Sequence, residues 1–173
     1  EITLVSQDTT SYGVDLGIQD GLACLLAELD KVEGLRWIRF LYVYPKLVSD
    51  KLMDVVTSSE KICRYIDMPL QHASAAVLKS MKRGGNRKSL TRMIERIRNG
   101  IPGVTIRTTM IDGYPGETEE NFAELKEFCR DMEFDRLGVF AYSDEEDTAA
   151  YKLQSKIPAR TAERRRRILM EQQ

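Results

Sequence analysis

The sequence contains few of the residues on which common site chemistries depend. Its 173 residues include three cysteines and one histidine. Cys24, Cys63 and Cys129 lie far apart, so they form neither a disulfide framework nor a metal-spaced pair, and we expect buried thiols in a reducing cytoplasm. The single histidine, His72, argues against a Ser-His-Asp triad and against zinc held by several histidines.

Net charge and long apolar runs are lacking as well. The formal net charge of −1 gives no global attraction to nucleic acid or to an anionic membrane. No apolar run is long enough to span a bilayer, and no signal peptide is visible. We therefore expect a cytoplasmic protein with no membrane segment.

The residues that are present predict one globular domain in which strands and helices alternate. Hydrophobic residues make up 42% of the chain and charged residues 31%. Strands are predicted at Ile2–Val5, Trp37–Val43, Arg64–Met68, Val104–Met110 and Arg136–Tyr142. Helices are predicted at Leu22–Val32, Ser49–Ser58, Ala75–Met81, Ser89–Asn99, Glu119–Met132 and Ala159–Met170. The alternation favours an α/β fold of parallel βα units, and both a doubly wound sheet and a (βα) barrel fit it.

Polar residues follow every predicted strand. They occur in the segments SQDTTSYG (6–13), YVYPK (42–46), DMPLQHAS (67–74), DGYPGE (112–117) and YSDEED (142–147). In both candidate folds the active site lies beyond the carboxyl ends of the strands. We therefore expect these groups to converge on one mouth.

The segment DGYPGE has more backbone freedom than an ordinary strand-to-helix turn needs. Gly113 and Gly116 allow positive φ and leave the main chain open to a ligand, while Pro115 stiffens the turn. We expect Gly113 to face the mouth and Gly116 to belong to the start of the next helix. A plain glycine-rich turn is the alternative, because the segment matches neither the dinucleotide fingerprint nor a phosphate-binding loop.

Arg107 is a candidate ligand for an anion. It lies near the middle of the fourth strand and shares a face with Thr105 and Thr109 by the period-two rule. A cation among interior threonines is costly unless it meets an anion, so a ligand carboxylate is one expectation and a solvated edge position is the other. Arg39 raises the same question more weakly.

Two basic segments are candidates for contact with RNA. SMKRGGNRKS (80–89) is basic and rich in glycine, and ARTAERRRRILMEQQ (159–173) carries a run of arginines. In both, solvated side chains are the simpler interpretation. We expect residues 159–173 to form an exposed helix that leads out of a domain of residues 1–158.

Taken together, the strand ends resemble those of the radical S-adenosylmethionine methylthiotransferases. The similar stretches are SQDTTSYG, WIRFLYVYP, DMPLQHASAAVLKSMKR, RTTMIDGYPGETEENF and FDRLGVFAYSDEED, in the order in which that family has them. QDTTSYG and YSDEE resemble the branch that modifies an aspartate of a small-subunit ribosomal protein. The tRNA-modifying branch usually has Arg-Pro-Gly after the last Tyr-Ser, where this sequence has Glu145, Glu146 and Asp147, and Asp147 stands where either branch generally has glycine.

The resemblance implies a partial TIM-type (βα) barrel that binds S-adenosylmethionine and a [4Fe–4S] cluster. The family's Cys-x-x-x-Cys-x-x-Cys loop is absent here, so we expect this chain to be the cofactor-cradling part of a longer enzyme, with no catalytic residue and no cluster ligand of its own. The resemblance also implies seven contacts to S-adenosylmethionine. Gln7 and Asp8 are expected near its methionyl amino group, and Arg107 at its carboxylate. Gln71 and Ser74 are expected on the ribose side, and Gly113 and Gly116 near the adenine.

The implied reaction inserts a methylthio group at the β-carbon of an aspartate in a small-subunit ribosomal protein, with ribosomal RNA as a further possible contact. Two alternatives remain at this point. One is tRNA modification by the other branch of the family. The other is a barrel fragment without a cluster that acts only as a binding module.

Overall fold

The computed structural model describes all 173 residues and shows the predicted alternation. The strands are β1 (Ile2–Leu4), β2 (Ile38–Phe40), β3 (Tyr65–Asp67), β4 (Thr105–Asp112) and β5 (Arg136–Ala141). The helices are α1 (Gly21–Asp30), α2 (Asp50–Ser58), α3 (Ala75–Ser80), α4 (Arg87–Gly100), α5 (Glu119–Met132) and α6 (Ala159–Gln172). Every strand and helix predicted from the sequence is therefore confirmed, although β1, β2 and β3 are shorter than expected.

The chain divides into two compact units. The first comprises Glu1–Pro69 and Met93–Arg107, and the second comprises Leu70–Arg92 and Thr108–Gln173. Strand β4 and helix α4 each contribute residues to both units.

Parallel strand pairs organise the first unit. β1 pairs with β2 from Ile2↔Ile38 to Leu4↔Phe40, and β3 pairs with the start of β4 from Tyr65↔Thr105 to Asp67↔Arg107. Fully buried apolar side chains form the core of this unit, among them those of Leu26, Ile38, Phe40, Ile66 and Ile106. Parallel pairing without hairpins is what βα units require, because each strand returns to the sheet through a helix.

The second unit is built on the rest of β4, which adjoins β5. Helix α5 begins with a capping box, in which Thr118 accepts the Asn121 N–H at 3.2 Å and the Asn121 side chain accepts the Thr118 N–H at 3.0 Å. Phe128 of α5 is fully buried and meets Phe134 edge-to-face, with 5.9 Å between ring centres. The cap fixes where α5 starts, and therefore fixes the length of the loop 113–118 that precedes it.

Helix α6 forms where it was predicted, but it is not exposed on all sides. Ala162, Arg165 and Leu169 are buried, at one position per turn of the helix. Most of α6 is exposed, as expected, but one stripe of it packs within the second unit. The signal was present in the sequence, since Ala162 and Leu169 are seven residues apart, but the buried member between them is an arginine.

Residues along β4 alternate between two environments, as its period of two demands. Ile106, Thr108, Met110 and Asp112 are buried, whereas the intervening residues are partly exposed. Arg107 therefore shares the accessible face with Thr105 and Thr109, as predicted. Asp112 lies on the buried face, so its carboxyl group is shielded from water.

Candidate functional site

The loop after β1 is held by its own side chains. Asp8 caps a 3-10 turn at Thr9–Ser11, accepting the Thr10 N–H at 3.0 Å and the hydroxyl groups of Thr10 and Ser11. The Thr9 hydroxyl donates to the Leu41 carbonyl at 2.7 Å, beyond the end of β2. A carboxylate has about four acceptor positions, so Asp8 retains capacity for a ligand. Its neighbour Gln7 is exposed.

Arg107 already has an anionic partner within the chain. Its Nη1 donates to Oδ1 of Asp67 at 2.8 Å, and Asp67 is its direct neighbour in the β3–β4 register. Burial alone would lower the pKa of Arg107, but the hydrogen bond and the charge of Asp67 raise it above its ordinary value. The chain itself thus supplies an anion for Arg107, which neither the ligand carboxylate nor the solvated edge position had included. The remaining N–H groups leave the predicted contact with a ligand carboxylate open, because a guanidinium has five donors.

Asp67 is the residue of this pair that sequence reasoning missed. It is fully buried at the end of β3, and its Oδ2 accepts the backbone N–H of Tyr42 at 3.3 Å. Tyr42 has a φ of 58°, in the left-handed region that non-glycine residues rarely adopt. Asp67 thus links the end of its own strand β3 to Arg107 within β4 and to Tyr42 after β2.

Gln71 combines backbone strain with an unsatisfied polar atom. Its φ is 71°, and its Oε1 is buried without a hydrogen-bond partner. The backbone holds this conformation from both sides, because the Gln71 N–H donates to Thr109 O at 2.9 Å and its carbonyl accepts the Ile111 N–H at 2.7 Å. Strain of this kind costs about 1–3 kcal/mol and is concentrated at functional sites. The predicted ribose contact remains a prediction that these features favour.

Ser74 and His72 are both buried in the segment that follows Gln71. The Ser74 N–H donates to Nδ1 of His72 at 2.9 Å, and the Ser74 hydroxyl accepts from the Asn121 side chain at 3.0 Å. Since Nδ1 is an acceptor, the ring proton lies on Nε2, which donates to Oε1 of Glu117 at 3.0 Å. His72 is thus a hydrogen-bonding link between the loops after β3 and β4.

Glu117 is the centre of a buried polar cluster in the second unit. Its side chain is 0% exposed, and its Oε2 accepts the Gly113 N–H at 2.6 Å and Nη1 of Arg165 at 2.8 Å. With His72 on Oε1, the carboxylate receives three hydrogen bonds, one of them from a cation. A buried charge is tolerated when it is paired and hydrogen-bonded in this way. The cluster joins the loop after β3, the loop after β4 and helix α6.

Asp112 belongs to the same cluster but has no partner of its own. The residue is fully buried, and neither carboxyl oxygen has a hydrogen-bond partner. Burial, followed by repulsion from Glu117, raises its pKa from 3.8 to about 7, although Arg165 acts in the opposite direction. Asp112 therefore holds a proton over most of the acidic range.

The two glycines of DGYPGE have different surroundings. Both have positive φ, 70° for Gly113 and 87° for Gly116. A Cβ on Gly113 would collide with Cβ of Ala162 on α6, whereas a Cβ on Gly116 would meet nothing within 4 Å. The position that was expected to be open to a ligand is therefore filled by a helix, and the open position is Gly116. That either glycine contacts a ligand remains a prediction.

Asp147 has a φ of 65°, in the left-handed region where glycine is favoured. The structure thus explains why glycine suits this position, and aspartate is among the residues that tolerate it.

Asp144 follows the last strand as well and accepts from Lys156 Nζ at 2.5 Å and from the Tyr142 hydroxyl at 3.0 Å.

No group of three or more His, Cys, Asp or Glu side chains is arranged to hold a metal ion. Cys129 is buried, which raises its thiol pKa to about 12, far from the thiolate that a cluster needs. The residues of this chain therefore do not fit an iron–sulfur cluster. None of its helices is both long enough and apolar enough to cross a membrane.

Comparison with known proteins decides the family. Residues 2–129 match the model of the radical SAM superfamily. The chain belongs to the radical SAM superfamily. Two solved structures share its fold. Coproporphyrinogen III oxidase HemN from Escherichia coli has a TM-score of 0.63 and 17% identity, and the match covers 87% of this chain and 35% of HemN. The methyltransferase TsrM from Kitasatospora setae has a TM-score of 0.62 and 14% identity, and the match covers 80% of this chain and 27% of TsrM. Of the two folds left open by the sequence pattern, the radical SAM partial barrel is therefore the one observed.

Curated relatives are much more similar in sequence. The chain is 54% identical over 172 residues to the ribosomal protein uS12 methylthiotransferase RimO of Solibacter usitatus, which covers 98% of the chain and 37% of the relative. It is 51% identical over 170 residues to the RimO of Koribacter versatilis, covering 98% and 34%. The resemblance to radical methylthiotransferases is thereby confirmed. The chain spans about a third of the length of these relatives.

Asp112 makes the stability of the radical SAM fragment depend on pH. Its pKa in the folded state, about 7, lies above the ordinary 3.8, so the folded state binds the proton more tightly. The free energy of unfolding should therefore fall as pH rises from about 4 to 7 and level off above that. We expect Asp112→Asn to remove this fall, so that the variant gains about 1–4 kcal/mol over the wild type between pH 4 and pH 8.

Urea unfolding at a series of pH values measures this difference. Asp131→Asn is the matched control, because this exposed aspartate pairs with Arg87 and Arg130 and its pKa is lowered. Parallel pH curves for Asp112→Asn and wild type would show that Asp112 is not protonated in the folded protein.

Alanine substitutions at Gly113 and Gly116 distinguish the cost of a side-chain collision from the cost of an unfavourable backbone φ. Gly113→Ala should lower the free energy of unfolding by about 2–4 kcal/mol, because Ala162 must move and φ is unfavourable. Gly116→Ala should cost about 1–2 kcal/mol, from φ alone. Chemical denaturation of both variants measures the two costs.

The double variant Gly113→Ala/Ala162→Gly tests the cause. Replacing Ala162 makes room for the new Cβ, so the double variant should be more stable than the sum of the two single changes predicts. Simple additivity would show that the contact with α6 is not what requires glycine at position 113.

Proposed function

We propose that this chain is part of a radical S-adenosylmethionine enzyme that adds a methylthio group to the β-carbon of an aspartate in a small-subunit ribosomal protein. The observation that carries the proposal is the identity of 45–54% over 95% or more of the chain to relatives that are named uS12 methylthiotransferases. Similarity at this level, spread over the whole chain, goes well beyond a shared fold.

The part of the reaction that this chain supplies is binding and orientation of S-adenosylmethionine. In the first unit the proposed ligands are Gln7, Asp8 and Arg107, and in the second unit they are Gln71, Ser74, Gly113 and Gly116. The unsatisfied Oε1 of Gln71 and the remaining N–H groups of Arg107 support this assignment. Bound S-adenosylmethionine would supply the radical and the methyl group, and an iron–sulfur cluster, whose ligands this chain does not contain, would supply the electron.

The partners and the setting follow from the proposed reaction. The substrate is a ribosomal small-subunit protein, and the basic segment 80–89 is a further candidate for contact with ribosomal RNA. We propose a cytoplasmic location, because the proposed substrate is a ribosomal protein. We also propose that residues 1–158 form the barrel fragment and that residues 159–173 form a C-terminal helix that leads out of it, with one stripe of the helix packed within the second unit.

Mass spectrometry of the reaction products tests the function. The complete gene product, purified without oxygen and reconstituted with iron and sulfide, is incubated with S-adenosylmethionine, a reductant and unmodified small ribosomal subunits. We expect one aspartate of a ribosomal protein to gain a methylthio group while tRNA stays unchanged. Modification of tRNA instead would assign the chain to the other branch, and failure to bind S-adenosylmethionine would favour a binding module.

Arg107→Met should weaken binding of S-adenosylmethionine roughly 10- to 100-fold, because a hydrogen bond to a charged group contributes about 1.5–3 kcal/mol. Calorimetric titration of the complete gene product measures the dissociation constant. Arg39→Met is the matched control, because Arg39 pairs with Glu1 at 2.9 Å and lies over the Tyr65 ring. Equal dissociation constants for Arg107→Met and wild type would make Arg107 a purely structural partner of Asp67.

A further inference from the structure

Four of the seven proposed ligands of S-adenosylmethionine lie in two loops of the second unit. The loop after β3 carries Gln71 and Ser74, and the loop after β4 carries Gly113 and Gly116. Glu117 joins the two loops, because its carboxylate accepts the Gly113 N–H on one side and His72 Nε2–H on the other. His72 in turn accepts the Ser74 N–H, so the link runs from backbone to backbone through two buried side chains.

The charge of Glu117 is neutralised from outside both loops. His72 is neutral as a donor from Nε2, and the nearby Asp112 is acidic, so neither supplies a positive charge. Arg165 of α6 does, through Nη1 to Oε2 of Glu117 at 2.8 Å. Arg165 is itself 97% buried, since its side chain is 3% exposed, and its Nε has no partner.

Arg165 is held in place by further contacts that suit a guanidinium. Its Nη2 donates to Oε1 of Glu119 at 2.8 Å, and its guanidinium carbon lies 5.0 Å from the centre of the Phe122 ring. A planar fork that bonds two carboxylates while lying over an aromatic ring is a geometry that lysine cannot reproduce. The family model ends at residue 129, so this arginine lies outside the matched region.

We propose that Arg165 is a positioning residue for S-adenosylmethionine: by pairing with Glu117 it keeps the loops that carry Gln71, Ser74, Gly113 and Gly116 in their binding conformation. This rests on the proposed function. A helix beyond the matched region is then a required part of the cofactor cradle, and Arg165 acts on the ligand only through Glu117 and the two loops. The competing interpretation is that Arg165 only docks α6.

Variants of the complete, cluster-loaded gene product separate these interpretations. They are Arg165→Met, Arg165→Lys, Glu117→Gln and the double variant Arg165→Met/Glu117→Gln. Arg164→Met is the matched control, because this neighbouring arginine is exposed. Two quantities are measured well below the lowest unfolding midpoint: the dissociation constant of S-adenosylmethionine, by calorimetry, and the hydrogen-exchange rate of the Gly113 amide without ligand.

Arg165→Met should raise the dissociation constant about tenfold or more, because removing one partner of a buried charge pair leaves the other unpaired. It should also speed exchange of the Gly113 amide, which loses a fixed acceptor. The double variant should recover part of the affinity, since neither buried charge remains. Arg164→Met should stay within about twofold of wild type in both quantities, as surface changes away from a site usually do.

Wild-type affinity and wild-type Gly113 exchange in Arg165→Met, with only a lower unfolding midpoint, would overturn the positioning role. If Arg165→Met does not fold, Arg165→Lys decides. Lysine cannot bond both carboxylates as the guanidinium does, so this variant should bind S-adenosylmethionine more weakly and exchange the Gly113 amide faster. Wild-type values for both would overturn the proposal. A wild-type protein that does not bind S-adenosylmethionine would overturn the proposed function as well, which is a different result from wild-type binding with unaffected variants.

Discussion

The buried carboxylate of Glu117 is the interaction on which the second unit depends. It receives a backbone N–H, a histidine N–H and a guanidinium, from three separate parts of the chain. An isolated carboxylate at that depth would be strongly disfavoured, so the loops and α6 must be in place together. The same requirement explains why a side chain at position 113 is costly: the Gly113 amide must reach Glu117 while Cβ of Ala162 on α6 lies where a Cβ of residue 113 would go.

The first unit uses a similar solution at a different strand end. Asp67 is buried after β3 and is bound by a backbone N–H, from Tyr42, and by an arginine, Arg107. In both units a buried carboxylate thus draws backbone and cation together at the carboxyl ends of the strands. Arginine is suited to this arrangement, because some N–H groups of its guanidinium can bond the carboxylate while the others remain for a second partner.

Sequence reasoning predicted where the strands end, but not which side chains meet there. The loops after β3 and β4 were predicted, because proline, glycine and polar residues interrupt β-branched runs there. The partner of Arg107 and the packing of Gly113 were not, since both depend on residues 40 or more positions away in the chain. Arg165 was missed for the same reason: within a run of arginines, nothing local distinguishes the buried one from its solvated neighbours.

By itself the sequence determined the order and type of the elements, the class of fold and, through five strand-end motifs, the family. These are local properties, because periodicity, capping and turn residues act over a few positions. Only the tertiary structure decided which charges are buried and which partners neutralise them. Whether Asp112 holds a proton, whether Arg107 is already paired and which arginine of α6 reaches Glu117 all depend on desolvation and distance, and these exist only once the chain has folded.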